Sequence, residues 1–238
     1  MEPIVLLDTN VVLARCLDSS MDAKAKLANE VFRVLSDVAL KPHITESVRT
    51  EFETKLHARV GQIADAVRRL AQEPAPASQS SMKSSLEVME DTFAHLRSEA
   101  TEAAGALQLL EARLVRGMGE ASVITPDAWS NLLGMVAVQT STLLAEIQKR
   151  FDTCHLEVIR RSPVVDHEKF REVVPKTDLE HIASAAGLAE SKKCKVIFVT
   201  LESQLHAVRD QISNLQPDLT VTAPVYLLGQ IQRIRGTK

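Results

Sequence analysis

Two short runs of consecutive apolar residues, one near each end of the chain, dominate its hydrophobic pattern. They are Ile4–Leu7 and Val196–Val199. Uninterrupted runs of this length, rich in β-branched residues, are typical of strands buried on both faces of a parallel sheet. We therefore predict an α/β fold in which both runs belong to one parallel sheet of about four or five strands, flanked by helices.

Most of the chain between the two runs shows helical rather than strand periodicity. Apolar residues at helical spacing predict helices over residues 21–38, 45–70, 82–116, 125–151, 178–190 and 203–214, and from Pro224 onwards. Two further short strands are predicted at Leu40–Ile44 and Leu219–Thr222. Residues 157–176 are expected to form a short return segment.

A Pro/Ser-rich stretch at residues 73–81 is the clearest linker in the sequence. We expect residues 1–72 and 158–238 to form a discontinuous α/β domain, and residues 73–157 to form a helical insertion folded as a hairpin. Apolar residues such as Met135 and Val138 lie outside the stripes that the two helices of the hairpin would bury against each other. They predict a contact with the core, a second subunit or a protein partner.

Four acidic residues lie in segments that are expected to meet at the carboxyl edge of the predicted sheet. Asp8 comes directly after the first run and Glu202 closely after the second, Asp178 opens the helix before the second run, and Glu51 lies on the helix after Ile44. The Glu51 side chain can reach back because helical side chains tilt toward the N-terminus. Since parallel strands end at one edge, we expect the four carboxylates to cluster there. Their mutual repulsion predicts a divalent cation between them.

Neighbouring polar residues could support such a site. Asn10 could hold Asp8 or a water through its amide, and Thr200 and Ser203 could hydrogen-bond the acids. All three residue types are also common turn formers, so that second interpretation stays open. The seven histidines show no pair at metal-ligand spacing. Oxygen ligands alone favour Mg²⁺ or Mn²⁺ over zinc.

The same residues lie in segments that resemble the PIN-domain nucleases. The matching segments, in order, are IVLLDTNVVL (4–13), TESVRTEFE (45–53), DLEHIASA (178–185), VIFVTLESQL (196–205) and VTAPVYLL (221–228). The resemblance implies a PIN-like fold and a metal-dependent endoribonuclease that hydrolyses RNA, preferably single-stranded. It also implies that Asp8, Glu51, Asp178 and Glu202 are the catalytic metal ligands. Glu202 departs from the family, which usually has Asp at this position.

Composition limits how RNA could be held. The net charge is -3 and aromatic residues make up 3% of the chain, which excludes a global positive field and a base-stacking platform. Local basic residues would have to contact the phosphates, and the candidates are Arg49, Arg160, Arg161 and Lys176. Three widely spaced cysteines and the absence of a long apolar segment predict a cytoplasmic protein with reduced thiols.

Other functions compete with the ribonuclease. A haloacid-dehalogenase-like phosphatase also has Asp after its first strand, but it needs a second Asp where Asn10 stands. A PIN scaffold without catalysis could bind RNA or a protein partner through the insertion, and Glu202 and the mild net charge favour that alternative. The toxin of a toxin–antitoxin module is a further alternative, although such toxins usually lack an insertion.

Overall fold

The two apolar runs lie side by side in the structure, a computed structural model that describes residues 2–17, 23–72, 85–100, 103–117, 126–160 and 167–236. With strands numbered in chain order, β1 (Ile4–Leu7) pairs in parallel with β4 (Val196–Val199) along their whole length. Every residue of β4 is buried. The prediction that both runs share one parallel sheet is confirmed.

Three more strands complete this sheet. They are β2 (Pro42–Thr45), β3 (Glu157–Ile159) and β5 (Leu219–Thr222). The order is β3-β2-β1-β4-β5, and each neighbouring pair is parallel. All strands therefore end at the same edge, which carries the residues that follow β1 and β4. Strand β3 was not predicted, because the sequence indicated only a return segment there.

Helices flank the sheet. They are α1 (Thr9–Leu17), α2 (Ala23–Asp37), α7 (Leu179–Lys192), α8 (Ser203–Ala207), α9 (Arg209–Leu215) and α10 (Leu227–Gly236), with 3-10 turns at His167–Lys169 and Pro224–Tyr226. Helix α1 packs on α2, whereas α7 packs on β4 and β5. Phe170, Ile182 and Phe198 are buried in the core between α7 and these strands. This packing fixes the start of α7 beside the ends of the central strands.

The chain forms two compact units. One comprises Met1–Glu53 and Arg150–Lys238, and the other comprises Thr54–Lys149. The second unit contains most of α3 (Glu46–Leu70) and α6 (Pro126–Thr153), together with α4 (Ser85–Glu99) and α5 (Ala104–Gly117). Its buried side chains include Ile63, Phe93, Leu96, Leu107, Leu110, Val136 and Leu143.

The single helix predicted over residues 82–116 is wrong, because the chain forms two helices there. Helix α4 ends at Glu99 and α5 begins at Ala104, and these helices pack against each other. Ala100 and Ala103 are both buried at the break. The small side chains at these two positions let α4 and α5 approach each other closely. A salt bridge of 3.0 Å between Arg69 and Glu99 joins α4 to α3.

Some predicted features lie outside the described residues. They are the linker at 73–81, the starts of the helices predicted at 21, 82 and 125, and Arg161. Within the described part of the chain, no helix has both the length and the apolar character needed to span a membrane.

Candidate active site

Asp8 lies immediately beyond β1 and is buried, with 4% of its surface exposed. Its backbone N–H donates to the Val199 carbonyl at 3.0 Å, which extends the pairing with β4. Three donors hold its carboxylate: the Thr9 N–H at 2.7 Å to Oδ1, and the Thr200 hydroxyl at 2.6 Å and the Asn10 amide at 2.9 Å to Oδ2. The carboxylate is therefore fixed in one orientation at the sheet edge.

The surroundings of Asp8 disfavour the ionised form of its carboxyl group. Burial raises the pKa of Asp8, and the nearby charge of Asp178 raises it further. The Thr200 hydroxyl, the charge on His181 and the Thr9 N–H lower this pKa, but the net shift is upward. A buried carboxylate is stable in its ionised form only when it is paired or bound to a cation. A metal ion at this position would supply that compensation.

Asn10 connects the ends of β1 and β4. Its amide nitrogen donates to Asp8 and, at 3.2 Å and 3.0 Å, to the Thr200 hydroxyl and the Glu202 carboxylate. Its amide oxygen accepts from the Leu201 N–H at 3.1 Å. Asn10 therefore holds Asp8 through its amide, as one of the two sequence interpretations proposed. Glu202 is exposed, and this bond to Asn10 links it to the site.

Glu51 reaches back along α3 toward the sheet edge, as predicted from the tilt of helical side chains. Its Oε2 atom accepts a hydrogen bond from the Thr9 hydroxyl and lies 2.7 Å from Nε2 of His181. The side chain is 30% exposed. Glu51 thus joins the residues that follow β1 to the first turn of α7.

His181 is the residue that the sequence analysis missed. It is buried, and the Ser47 hydroxyl lies 3.3 Å from Nδ1 on the side away from Glu51. Burial lowers the pKa of His181, but the Glu51 hydrogen bond and the charges of Asp8, Glu51 and Glu180 outweigh it and raise the pKa overall. The signal in the sequence was its position three residues after Asp178, which places both on one face of α7.

The ligand atoms of Asp8, Glu51 and His181 all lie within 4.8 Å of one another. Two ligands on opposite sides of an ion with bonds of about 2.1 Å would be about 4.2 Å apart. Small side-chain rotations would therefore bring all three donors onto one ion. Because one donor is nitrogen, the all-oxygen ligand set inferred from the sequence does not describe this cluster.

The other predicted site residues lie around this cluster. Asp178 is the N-cap of α7 and half-buried, and it is close enough to Asp8 to raise the pKa of Asp8. Ser203 is exposed at the first position of α8. Among the described residues, the three-residue cluster contains neither Asp178 nor Glu202.

The basic candidates differ in their surroundings. Arg49 forms an ion pair with Glu53 at 3.1 Å on the same helix. Arg160 is exposed directly after β3, and Lys176 is exposed shortly before α7. These two residues therefore flank elements that end or begin at the edge carrying Asp8.

Comparisons with known proteins add no family assignment. No family model matches the chain, and no curated protein and no solved structure is significantly similar to it.

Proposed function

We propose that this chain is a metal-dependent endoribonuclease, a hydrolase that cleaves phosphodiester bonds of single-stranded RNA. The observation that carries the proposal is the cluster of Asp8, Glu51 and His181, whose ligand atoms lie within 4.8 Å of one another. It lies at the carboxyl edge of a parallel sheet, where open α/β folds bind their ligands. The resemblance of the surrounding segments to PIN-domain nucleases supports the same reaction.

In this proposal Asp8, Glu51 and His181 hold the ion. Carboxylates suit Mg²⁺ and Mn²⁺, whereas imidazole suits transition metals, so the mixed set favours Mn²⁺ over Mg²⁺. The bound ion would activate water for attack on phosphorus and stabilise the charge on the leaving oxygen. Thr9, Asn10 and Thr200 do not need to touch the ion, because their hydrogen bonds already orient the carboxylates.

Asp178 and Glu202 would not bind the ion directly in this proposal. Both are more accessible than Asp8, since Asp178 is half-buried and Glu202 is exposed. They would hold water molecules beside the ion and accept the proton released when water attacks the phosphate. This role tolerates the extra methylene of Glu202 better than direct metal ligation, because a water molecule can bridge the altered distance.

RNA would be held by local contacts. With a net charge of -3, the chain has no overall attraction for a polyanion. Arg160 and Lys176 are exposed and adjoin elements that end or begin at the edge carrying Asp8, so they would bind phosphates. Arg161, the next residue in the sequence, is the third candidate. Arg49 would contribute less, because its guanidinium already pairs with Glu53.

The proposal is tested by Mn²⁺-dependent cleavage of single-stranded and structured RNAs. Asp8→Asn and Glu51→Gln should each abolish cleavage, whereas Glu46→Gln should not. Glu46 is a matched control because it lies on the same helix as Glu51 and is exposed. Circular dichroism would verify that each variant is folded.

Two outcomes would overturn the proposal. One is full cleavage by a folded Asp8→Asn protein. The other is RNA binding without cleavage in the presence of Mn²⁺ or Mg²⁺, which would favour a scaffold that has lost catalysis.

A further inference from the structure

Two of the three cysteines are in contact in the structure, although they are far apart in the sequence. Cys16 is fully buried near the end of α1, and Cys154 is half-buried just beyond α6. Their thiols are hydrogen-bonded to each other. Both residues belong to the unit that contains the sheet. The contact has no part in the proposed metal site.

Other contacts hold the two thiols in place. The Arg150 guanidinium donates to the Cys16 carbonyl at 3.2 Å. The Cys154 N–H donates to the Arg150 carbonyl at 3.1 Å, which continues the helical bonding of α6, so Arg150 links the Cys16 backbone to the segment that carries Cys154. One residue after Arg150, the Phe151 ring stacks on Phe52 with 4.4 Å between centroids. The arrangement therefore does not depend on the sulfur contact alone.

Arg15 lies beside Cys154 and favours its thiolate. The Cys16 thiol donates to Cys154 and lowers the pKa of Cys154, and the Arg15 guanidinium lowers it further by charge and hydrogen bonding. The pKa of Cys16 is raised, because Cys16 hydrogen-bonds to Cys154 and is buried. A thiolate that is partly accessible, next to a cation and next to a second thiol, is the usual environment of a redox-active cysteine.

We propose that Cys154 is a peroxide-reactive cysteine and that Cys16 resolves it into a reversible disulfide. The Cys154 thiolate attacks one oxygen of a hydroperoxide, the O–O bond breaks, and sulfenic acid forms while the other oxygen leaves as hydroxide and takes up a proton. The Cys16 sulfur then attacks the sulfenic sulfur, its proton leaves with the hydroxyl group as water, and the S–S bond forms. With hydrogen peroxide, two thiols are oxidised and two waters are produced.

Cys194 is the internal control for this chemistry. It is buried, and burial and the nearby Asp218 raise the pKa of its thiol. It lies just before β4, away from α1 and from the end of α6. Cys194 should therefore remain a free thiol while Cys16 and Cys154 are oxidised.

The bond would act on the helix that begins at the candidate active site. Helix α1 starts with Thr9 and Asn10, which hydrogen-bond Glu51 and Asp8, and ends one residue after Cys16. A disulfide would join this helix covalently to the segment after α6. Its formation is a property of the thiols and does not depend on the chain being a nuclease.

The test is limited hydrogen peroxide treatment of the reduced full chain, followed by alkylation under denaturing conditions and peptide mass spectrometry. The expected product is a peptide pair linked through Cys16 and Cys154, with Cys194 alkylated. The same treatment after unfolding in urea should give no preference for this pair. Three alkylated cysteines, or a bond that includes Cys194, would overturn the proposal.

Substitutions separate the two roles. In Cys16→Ser, Cys154 should accumulate as sulfenic acid and be captured by dimedone, whereas Cys194→Ser should still form the bond. Arg15→Gln should slow the oxidation of Cys154 roughly tenfold, because less thiolate is present at neutral pH. Dimedone capture at Cys16 in Cys154→Ser, or an unchanged rate in a folded Arg15→Gln protein, would contradict the assigned roles.

Discussion

At the scale of single residues, a buried carboxylate, a buried imidazole and one glutamate have ligand atoms within 4.8 Å of one another. Asp8 and His181 are both buried, and Glu51 lies 2.7 Å from the His181 ring. The pKa of each buried group is raised, Asp8 by burial and His181 because nearby carboxylates outweigh the effect of burial. A cation beside Asp8 would stabilise its ionised form, and the carboxylates around His181 stabilise positive charge at the ring.

Replacing the imidazole should change metal preference. His181→Gln keeps a donor that can reach Glu51 but removes the ring nitrogen, which transition metals prefer. We expect the affinity for Mn²⁺ to fall about tenfold or more and the affinity for Mg²⁺ to fall less. Isothermal titration calorimetry with each ion measures this. If the substitution leaves the affinities for Mn²⁺ and for Mg²⁺ unchanged, the ring nitrogen is not a ligand.

Removing the residue that orients Asp8 should weaken metal binding without removing a ligand. Asn10→Ala deletes the hydrogen bonds to Asp8 and Glu202. Loss of such outer partners typically lowers metal affinity about 10–100-fold. The exposed Asn131 provides the matched control, and Asn131→Ala should leave the Mn²⁺ affinity unchanged. Wild-type affinity in Asn10→Ala would indicate that Asp8 is oriented by its other donors.

The sequence predicts some of these residues and not others. Asp8 could be predicted because a charged residue directly follows four apolar ones, and Glu51 because its distance along the helix allows it to reach back. The only signal for His181 was its spacing of three residues from Asp178, and a single histidine in a helix has the same sequence signature whether it binds a metal or fills a core. Only the fold brings the first turn of α7 to α3, where Glu51 and Ser47 contact the His181 ring.

At the scale of elements, the break between α4 and α5 depends on close packing. Ala103 is fully buried beside the break, whereas Ala112 is exposed on α5. Ala103→Leu should lower the free energy of unfolding by about 1–3 kcal/mol, because added methylenes do not fit a packed interior. Ala112→Leu should change it by less than about 0.5 kcal/mol. Urea denaturation compares the two, and equal effects would contradict the packing described for the break.

Helix α1 was not predicted, and the helix predicted over 203–214 is divided at Val208 into α8 and α9. Two further errors at this scale have identifiable physical causes. Strand β3 was missed because Glu157–Ile159 is short and no residue in it is fully buried, so its pattern lacks the apolar run of β1 and β4. The helix predicted over 82–116 was too long because alanines favour helix, and the periodicity does not reveal where two helices turn against each other. Both features depend on contacts that are distant in sequence.

At the scale of the whole molecule, the net charge of -3 means that the proposed RNA binding would depend on local basic residues. A plot of the logarithm of the binding constant against the logarithm of the salt concentration has a negative slope. For a single strand, the magnitude of this slope decreases by about 0.7 for each phosphate contact that is lost. Replacing Arg160 and Lys176 together by Gln should therefore reduce the slope by about 1.4. Fluorescence anisotropy with a labelled single-stranded RNA measures it.

Lys195 provides the matched control for this experiment. It precedes β4, so it lies at the opposite edge of the sheet from Asp8, and it pairs with Asp218 at 2.7 Å. Lys195→Gln should leave the salt slope unchanged. A slope that changes equally in both proteins would indicate diffuse attraction rather than contacts near the proposed site.

The parallel sheet is the part of the whole molecule that the sequence predicts best. Buried apolar runs identify its central strands, and the direction of the chain follows from the helices between them. The limits of the two units are harder to predict, because they fall inside α3 and α6. The helical periodicity continues through both places without a change in composition.

The most direct test of the proposed metal centre is anomalous diffraction from crystals grown with Mn²⁺. We expect one strong peak at about metal-ligand distance, roughly 2.0–2.3 Å, from carboxylate oxygens of Asp8 and Glu51 and from a His181 ring nitrogen. Crystals of Asp8→Asn grown in the same way should lack the peak. Wild-type crystals without a peak among these three residues, or with Mn²⁺ bound only elsewhere, would contradict the account.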